Sequence, residues 1–173
     1  DCTLRDGGYY NDWDFSFEFV RKYLLALSVA QIDYVELGFR FLNNKGFKGA
    51  YAFCKDEFLN KLDIPTGINN VIMINAGDLI SDNRLNWEAL EILVPLESGK
   101  SKVNLLRIAS TFDDFEIIAP AFKILKQKGY NTAVNIMQIS KISHNKFKKI
   151  GIIASDNDVD IIYLADSFGS LVP

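Results

Sequence analysis

Val103-Asn104-Leu105-Leu106-Arg107-Ile108, a patterned stretch from Phe115 to Lys128 closed by Gly129, then Ala133-Val134-Asn135-Ile136-Met137: these 35 residues read as strand, helix, strand. The two outer runs are short and almost wholly aliphatic, the pattern of strands buried on both faces of a parallel sheet. The middle stretch ends in Lys126-Gln127-Lys128-Gly129, with cations in the last turn and a glycine stop. A strand–helix–strand unit of this length implies a right-handed parallel crossover.

The same unit recurs in both directions. Tyr34-Val35-Glu36-Leu37, Val71-Ile72-Met73-Ile74 and Ile161-Ile162-Tyr163-Leu164-Ala165 are further strand-like runs, and their starts fall about 28 to 37 residues apart. Cys2-Thr3-Leu4 lies one interval before the first and is expected to be a strand as well. Helical patterns occupy Phe15–Ala30, Tyr51–Leu62, Asn86–Leu96 and Ser143–Ala154. In the first, Phe19, Val20, Tyr23, Leu24 and Leu27 build one apolar face, with Ser16 or Asp14 as cap. Ser143 is the expected cap of the last. Pro95 and Pro120 fall inside two of the helical stretches, where continuity is weakest. The expectation is six parallel strands and five helices in one α/β unit.

Composition agrees. Of 173 residues, 49% are hydrophobic and 24% charged, which excludes a disordered or collagen-like chain. A net charge of −3 and a pI near 5.2 argue against nucleic-acid binding. No apolar run approaches a membrane span, and no secretory leader is read at Asp1-Cys2-Thr3. Two cysteines, Cys2 and Cys54, make a poor disulfide framework, so a cytoplasmic setting is expected.

Chemistry in parallel α/β folds collects at the carboxyl ends of the strands, and those ends are polar here. They carry Arg5, Asp6, Gly7 and Gly8; Glu36, Gly38 and Arg40; Asn75 and Asp78; Arg107 and Ser110; Asn135 and Gln138; Asp166 and Ser167. The densest segment is Asp1-Cys2-Thr3-Leu4-Arg5-Asp6-Gly7-Gly8. An adjacent Arg and Asp can divide labour, the carboxylate taking a hard cation and the guanidinium steadying oxyanion charge. A structural Arg–Asp pair with turn glycines is the alternative.

Together with Glu36 and Ala165-Asp166-Ser167-Phe168-Gly169-Ser170-Leu171-Val172-Pro173, this segment resembles a family: the metal-dependent aldolase and Claisen-type TIM barrels. These include 3-hydroxy-3-methylglutaryl-CoA lyase, the isopropylmalate and homocitrate synthases, pyruvate carboxyltransferase domains and 4-hydroxy-2-oxovalerate aldolase. The Asp-Ser motif is most similar to the last branch. The resemblance implies that residues 1–173 are part of a (β/α)8 barrel, its first six strands, with strands 7 and 8 missing. It implies a lyase cleaving or forming a carbon–carbon bond beside a 2-oxo acid such as pyruvate. Asp6 would be a ligand to Mn²⁺ or Mg²⁺, Arg5 would stabilise the enolate, and Glu36 would orient the Arg or the water network at the metal. Ser167, Arg107 and Asn135 are the expected substrate contacts, although a loop cap would explain Ser167 equally well.

The chain departs from the family in three places. The His-x-His metal pair of strand 7 would lie beyond Pro173, so weak metal affinity and an inactive isolated chain are expected. Tyr9 stands where the aldolase branch carries a His; a phenol can donate a proton but is a poor base near neutral pH. Gly8 replaces an acidic residue usual in the synthases. A Claisen-type acyl-CoA transferase is the alternative activity, and a non-catalytic α/β domain, such as a doubly wound sheet binding a small ligand, is the second.

Other features read blandly. His144 is expected on a helix surface, Cys2 in a strand and Cys54 in packing. Gly46-Phe47-Lys48-Gly49 lacks a phosphate-loop pattern. The 38–49 loop, with Arg40, Asn43, Asn44, Lys45 and Lys48, could cover the site and bind an anionic group or be solvated. Phe41, Phe47, Tyr51 and Phe53 could form an aromatic wall or pack in the core. The partners expected are a small 2-oxo acid or acyl substrate, neither nucleic acid nor membrane, and a second copy of the chain as a homo-oligomer.

Overall fold

In the computed structural model, which describes residues 1–171, seven strands follow the sequence. They are β1 Tyr34–Phe39, β2 Asn69–Asn75, β3 Ile80–Ser81, β4 Arg84–Leu85, β5 Leu105–Ser110, β6 Asn131–Ile136 and β7 Ile161–Leu164. The helices are α1 Thr3–Asn11, α2 Phe17–Val29, α3 Asp56–Leu59, α4 Trp87–Leu93, α5 Phe112–Gln127 and α6 His144–Asp156. One parallel sheet runs β1-β2-β5-β6-β7, and β3 and β4 form a small separate hairpin. Each main strand pairs with the next one along the chain, with no reversal of order. A doubly wound sheet requires such a reversal, so that alternative is overturned, and the order is the one a barrel uses.

The expected first strand is a helix instead. Only Asp1 keeps ladder geometry: its ammonium donates to the Tyr34 carbonyl at 2.7 Å and its own carbonyl accepts from the Glu36 amide at 2.8 Å. The Asp1 carboxylate accepts from the Thr3 amide and hydroxyl, both at 3.0 Å. These bonds form a local turn leading into α1, whose N-cap residue is Cys2, and Cys2 and Leu4 leave the sheet. The glycines at 7 and 8 therefore sit inside a helix. A Cβ on Gly8 would come within 2.0 Å of the Trp13 ring, so glycine there admits the indole.

Caps set the helix starts. Ser16 accepts from Phe19 N, Asn86 from Ala89 N, Thr111 from Asp114 N and Ser143 from Lys146 N. Thr111 explains why α5 begins three residues before the apolar pattern at Phe115 suggests. Gly129, at φ +86°, closes it, with Tyr130 N donating to Leu125 O at 3.1 Å, a Schellman-type ending. Pro120 is accommodated inside α5, whereas α4 stops at Leu93 before Pro95. The expected helix over 51–62 breaks at Cys54, whose φ of +37° turns the chain, leaving a 3-10 turn at Ala50–Ala52 and the single turn of α3.

The outer face of the sheet buries Val35, Ile72, Leu106, Ile108 and Val134 in one large core with Val20 and Leu24 of α2 and Phe115, Ile118 and Phe122 of α5. Complete burial of such side chains is worth roughly 2 kcal/mol each. On the inner face, Val71, Leu105, Ala133 and Ile161 form a separate small cluster. β7 is the outermost strand described, with Ile162, Tyr163 and Leu164 exposed.

Candidate active site at the carboxyl ends of the strands

Above the apolar inner cluster the sheet turns polar. Pairing puts Glu36 level with Val71, Met73 with Arg107, and Asn135 with Tyr163. Glu36 is 3% exposed and accepts from Arg5 Nε at 2.7 Å. Arg107 reaches across β2 to place NH1 at 3.4 Å from both Glu36 oxygens. Its NH2 donates to Asn135 Oδ1 at 2.7 Å, and its guanidinium carbon lies 4.3 Å from the Tyr163 ring centroid. Arg5 NH1 also bonds the Asp6 carboxylate, and Cys2 Sγ donates to Asp6 Oδ2 at 3.3 Å. Asp6, Arg5, Glu36, Arg107 and Asn135 thus form one connected chain, in which two cations face two anions.

The local backbone builds this chain. Register shifts between Glu36 and Gly38, a bulge that re-aims the strand. Beyond it, Phe39 lies under Arg5, with the guanidinium carbon 5.8 Å from its ring. Gly38 is obligatory at the bulge, because a Cβ would fall 1.9 Å from the Tyr51 carbonyl oxygen. Trp13 donates from Nε1 to the Arg5 carbonyl at 2.9 Å and packs edge-on against Phe39, fixing α1 to the sheet. Burial opposes the charge on Arg5, but its hydrogen bond and ion pair with Glu36 hold its pKa above the usual value. Burial, then the Asp6 carboxylate, pushes the Cys2 thiol up.

Tyr9 and Ser167 lie outside this chain of contacts. Tyr9, one turn beyond Arg5, is 65% exposed, its ring edge-on to Trp13 and Phe39. Ser167 Oγ accepts from the Gln138 amide at 3.0 Å, tying together the loops after β6 and β7. Asp166 accepts from Leu171 N at 2.8 Å and Phe168 N at 3.4 Å, and these amides hold its carboxyl below the usual range. Val172 and Pro173 of the same motif lie outside the described residues. Tyr163 went unread in the sequence: it stands in an aliphatic strand, and only the pairing with Asn135 brings it over Arg107.

The 38–49 loop does not offer Arg40 to a ligand. That side chain is buried, donating from Nε to Cys54 O at 3.1 Å and from NH1 to Leu93 O at 2.8 Å, with NH2 2.9 Å from Asp56. It ties the end of β1 to the carboxyl end of α4, a structural task. Lys48 lies over the Trp13 ring at 4.8 Å. Tyr51 is buried in the core while Phe47 is exposed, so the four aromatics form no wall. His144 opens α6 on the surface, as expected. A cavity of about 750 Å³ lies beside Arg40, Phe41, Phe53, Ile92 and Leu96, away from the Arg5–Glu36 chain. The latter occupies the inner face of the sheet.

Among the described residues no three His, Cys, Asp or Glu side chains converge as a metal site, and none of the helices is long and apolar enough to cross a membrane. Asp6 is one carboxylate where a hard divalent ion takes about six oxygen ligands. The residues present do not by themselves make a metal centre.

No family model matches the chain. It is 22% identical to the oxaloacetate decarboxylase of Mycobacterium tuberculosis, over 100% of this chain and 48% of that protein. It is 26% identical to 4-hydroxy-2-oxovalerate aldolase 1 of Rhodococcus erythropolis, over 99% and 47%. A solved structure described as "the N-terminal domain of a putative aldolase from Bacteroides vulgatus" superposes with a TM-score of 0.84 at 29% identity, covering 100% of this chain and 55% of that one. The chain spans about half the length of the curated relatives it matches. These likenesses support the aldolase and 3-hydroxy-3-methylglutaryl-CoA lyase-like family, and a partial TIM barrel.

Proposed function

We propose that this chain carries the Arg–Asp–Glu portion of a lyase active site that breaks or makes a carbon–carbon bond beside a 2-oxo acid. The observation that carries this reading is the 2.7 Å contact from Arg5 to the buried Glu36. Glu36 anchors Nε and Asp6 takes NH1, while NH2 of Arg5 has no hydrogen-bond partner among the described residues. A fixed guanidinium with an open donor suits a developing enolate oxygen, because a preorganised donor pays no reorganisation cost as charge forms.

In this reading Arg107 and the amide nitrogen of Asn135 receive the substrate carboxylate, with Ser167 at the loop edge. Tyr9 on the rim would donate a proton to the enolate carbon left by C–C cleavage, the proton lost from the 4-hydroxyl passing to solvent. Asp6 supplies one ligand to Mn²⁺ or Mg²⁺, whose other ligands come from outside the described residues. Bound there, such an ion would supply Lewis-acid chemistry. The names of the relatives favour a lyase over acyl-CoA condensation. The substrate is a small molecule, and a cytoplasmic homo-oligomer is part of the same reading.

The test is pyruvate release from a 4-hydroxy-2-oxo acid by the intact gene product with Mn²⁺, followed through lactate dehydrogenase. Arg5→Lys, which keeps the charge but loses the fork, should lower kcat/KM by about 10²-fold. An unchanged rate would refute the role of Arg5.

A further inference from the structure

We infer that Tyr163 is a positioning residue for Arg107, and that its ring rather than its hydroxyl does the positioning. The inference rests on the functional reading above, in which Arg107 receives the substrate carboxylate.

Arg107 must span β2 to reach Glu36, so its long side chain has to be held along its length. Glu36 contributes only two 3.4 Å contacts. Arg107 Nε is buried with no hydrogen-bond partner among the described residues. Two groups complete the restraint. Asn135 Oδ1 fixes the direction of the fork in its own plane through NH2, at 2.7 Å. The Tyr163 ring covers the guanidinium, with its centroid 4.3 Å from the central carbon, well inside cation–π range. Asn135 and Tyr163 are register partners on β6 and β7, so the two restraints move together. Tyr163 is 41% exposed and its hydroxyl donates no hydrogen bond among the described residues. What it presents to Arg107 is therefore an aromatic face.

The test compares Tyr163→Phe with Tyr163→Leu in the intact Mn²⁺-loaded protein, with thermal melting confirming that both fold. For 2-oxo acid cleavage, Tyr163→Phe should keep kcat/KM within about twofold of wild type, and Tyr163→Leu should raise KM about tenfold with a smaller change in kcat. A readout independent of turnover is modification of Arg107 by phenylglyoxal, mapped by mass spectrometry. Tyr163→Leu should speed it about threefold or more, and Tyr163→Phe should not. Equal modification rates and equal KM in Tyr163→Leu and wild type would overturn the inference, as would Phe behaving like Leu. If the wild type itself releases no pyruvate, the functional reading fails, while the modification rates still decide whether Tyr163 holds Arg107.

Discussion

The carboxylate of Glu36 on β1 is met by Arg107 from β5 at 3.4 Å across the intervening strand β2, while Arg5 of α1 holds the same carboxylate at 2.7 Å. One buried anion thus fixes two arginines contributed by separate parts of the fold. The inner face of the sheet is organised around that group, and several consequences can be measured.

Glu36→Gln keeps the shape but leaves two guanidinium groups without their shared counter-charge. Both arginines retain some solvent contact, so the loss should be below that of a fully buried pair, about 2 kcal/mol in urea unfolding. Activity should fall at least about tenfold, because the neutral amide no longer anchors Arg5. A variant as stable and active as wild type would remove Glu36 from its central place.

Gly38→Ala should be more damaging than its size suggests. The added methyl meets the Tyr51 carbonyl oxygen at 1.9 Å, a backbone atom of a buried residue. Relief requires shifting the bulge that aims Glu36, so a destabilisation of about 3 kcal/mol is expected. Chemical denaturation of the purified variant checks it.

Asp160 links folding to pH. Burial works against its charge, but Lys126 at 2.7 Å and the Thr132 amide at 2.8 Å hold its carboxyl below the usual range. A depressed carboxyl contributes stability above its unfolded value of about 3.9 and loses it as pH falls through the folded value. The pair is about one-third exposed, so the contribution is about 1 kcal/mol or less. The stability gap between wild type and Asp160→Asn should be present at pH 7 and close between pH 4 and pH 2. A gap independent of pH would contradict the assignment.

The two thiols should separate cleanly. Burial pushes Cys54 up to about 12, whereas Cys2 is only partly buried beside Asp6. At pH 8 a thiol reagent should label Cys2 slowly in the native protein and Cys54 only after unfolding. Equal native labelling would contradict the packing at Cys54.

Much of this was legible in the sequence, for particular reasons. The aliphatic runs at 71–74, 103–108 and 133–137 can be little else than strands of a parallel sheet, and helix caps such as Ser143 act locally. Glu36, Arg107 and Asn135 lie on β1, β5 and β6, so strand order gathers them, whereas Arg5 is delivered by α1. The beginning of the chain misleads because the Asp1 carboxylate holds the Thr3 amide and hydroxyl where the chain turns into α1, a local turn that the β pattern of Cys2-Thr3-Leu4 does not announce. The helix expected over 51–62 fails at one residue, Cys54, whose positive φ no periodicity announces. Arg40 looks like a ligand group in a loop, yet long-range partners at Asp56 and Leu93 claim it. Tyr163 is invisible until β7 is set against β6.

The most direct measurement is steady-state pyruvate release from a 4-hydroxy-2-oxo acid by the intact Mn²⁺-loaded protein, comparing wild type with Arg5→Lys at matched folding. The expected result is metal-dependent turnover in the wild type and a loss of about 10²-fold in kcat/KM in the variant. Turnover that is indifferent to Arg5, or no pyruvate from the wild type, would contradict a lyase built around the Arg5–Glu36 pair.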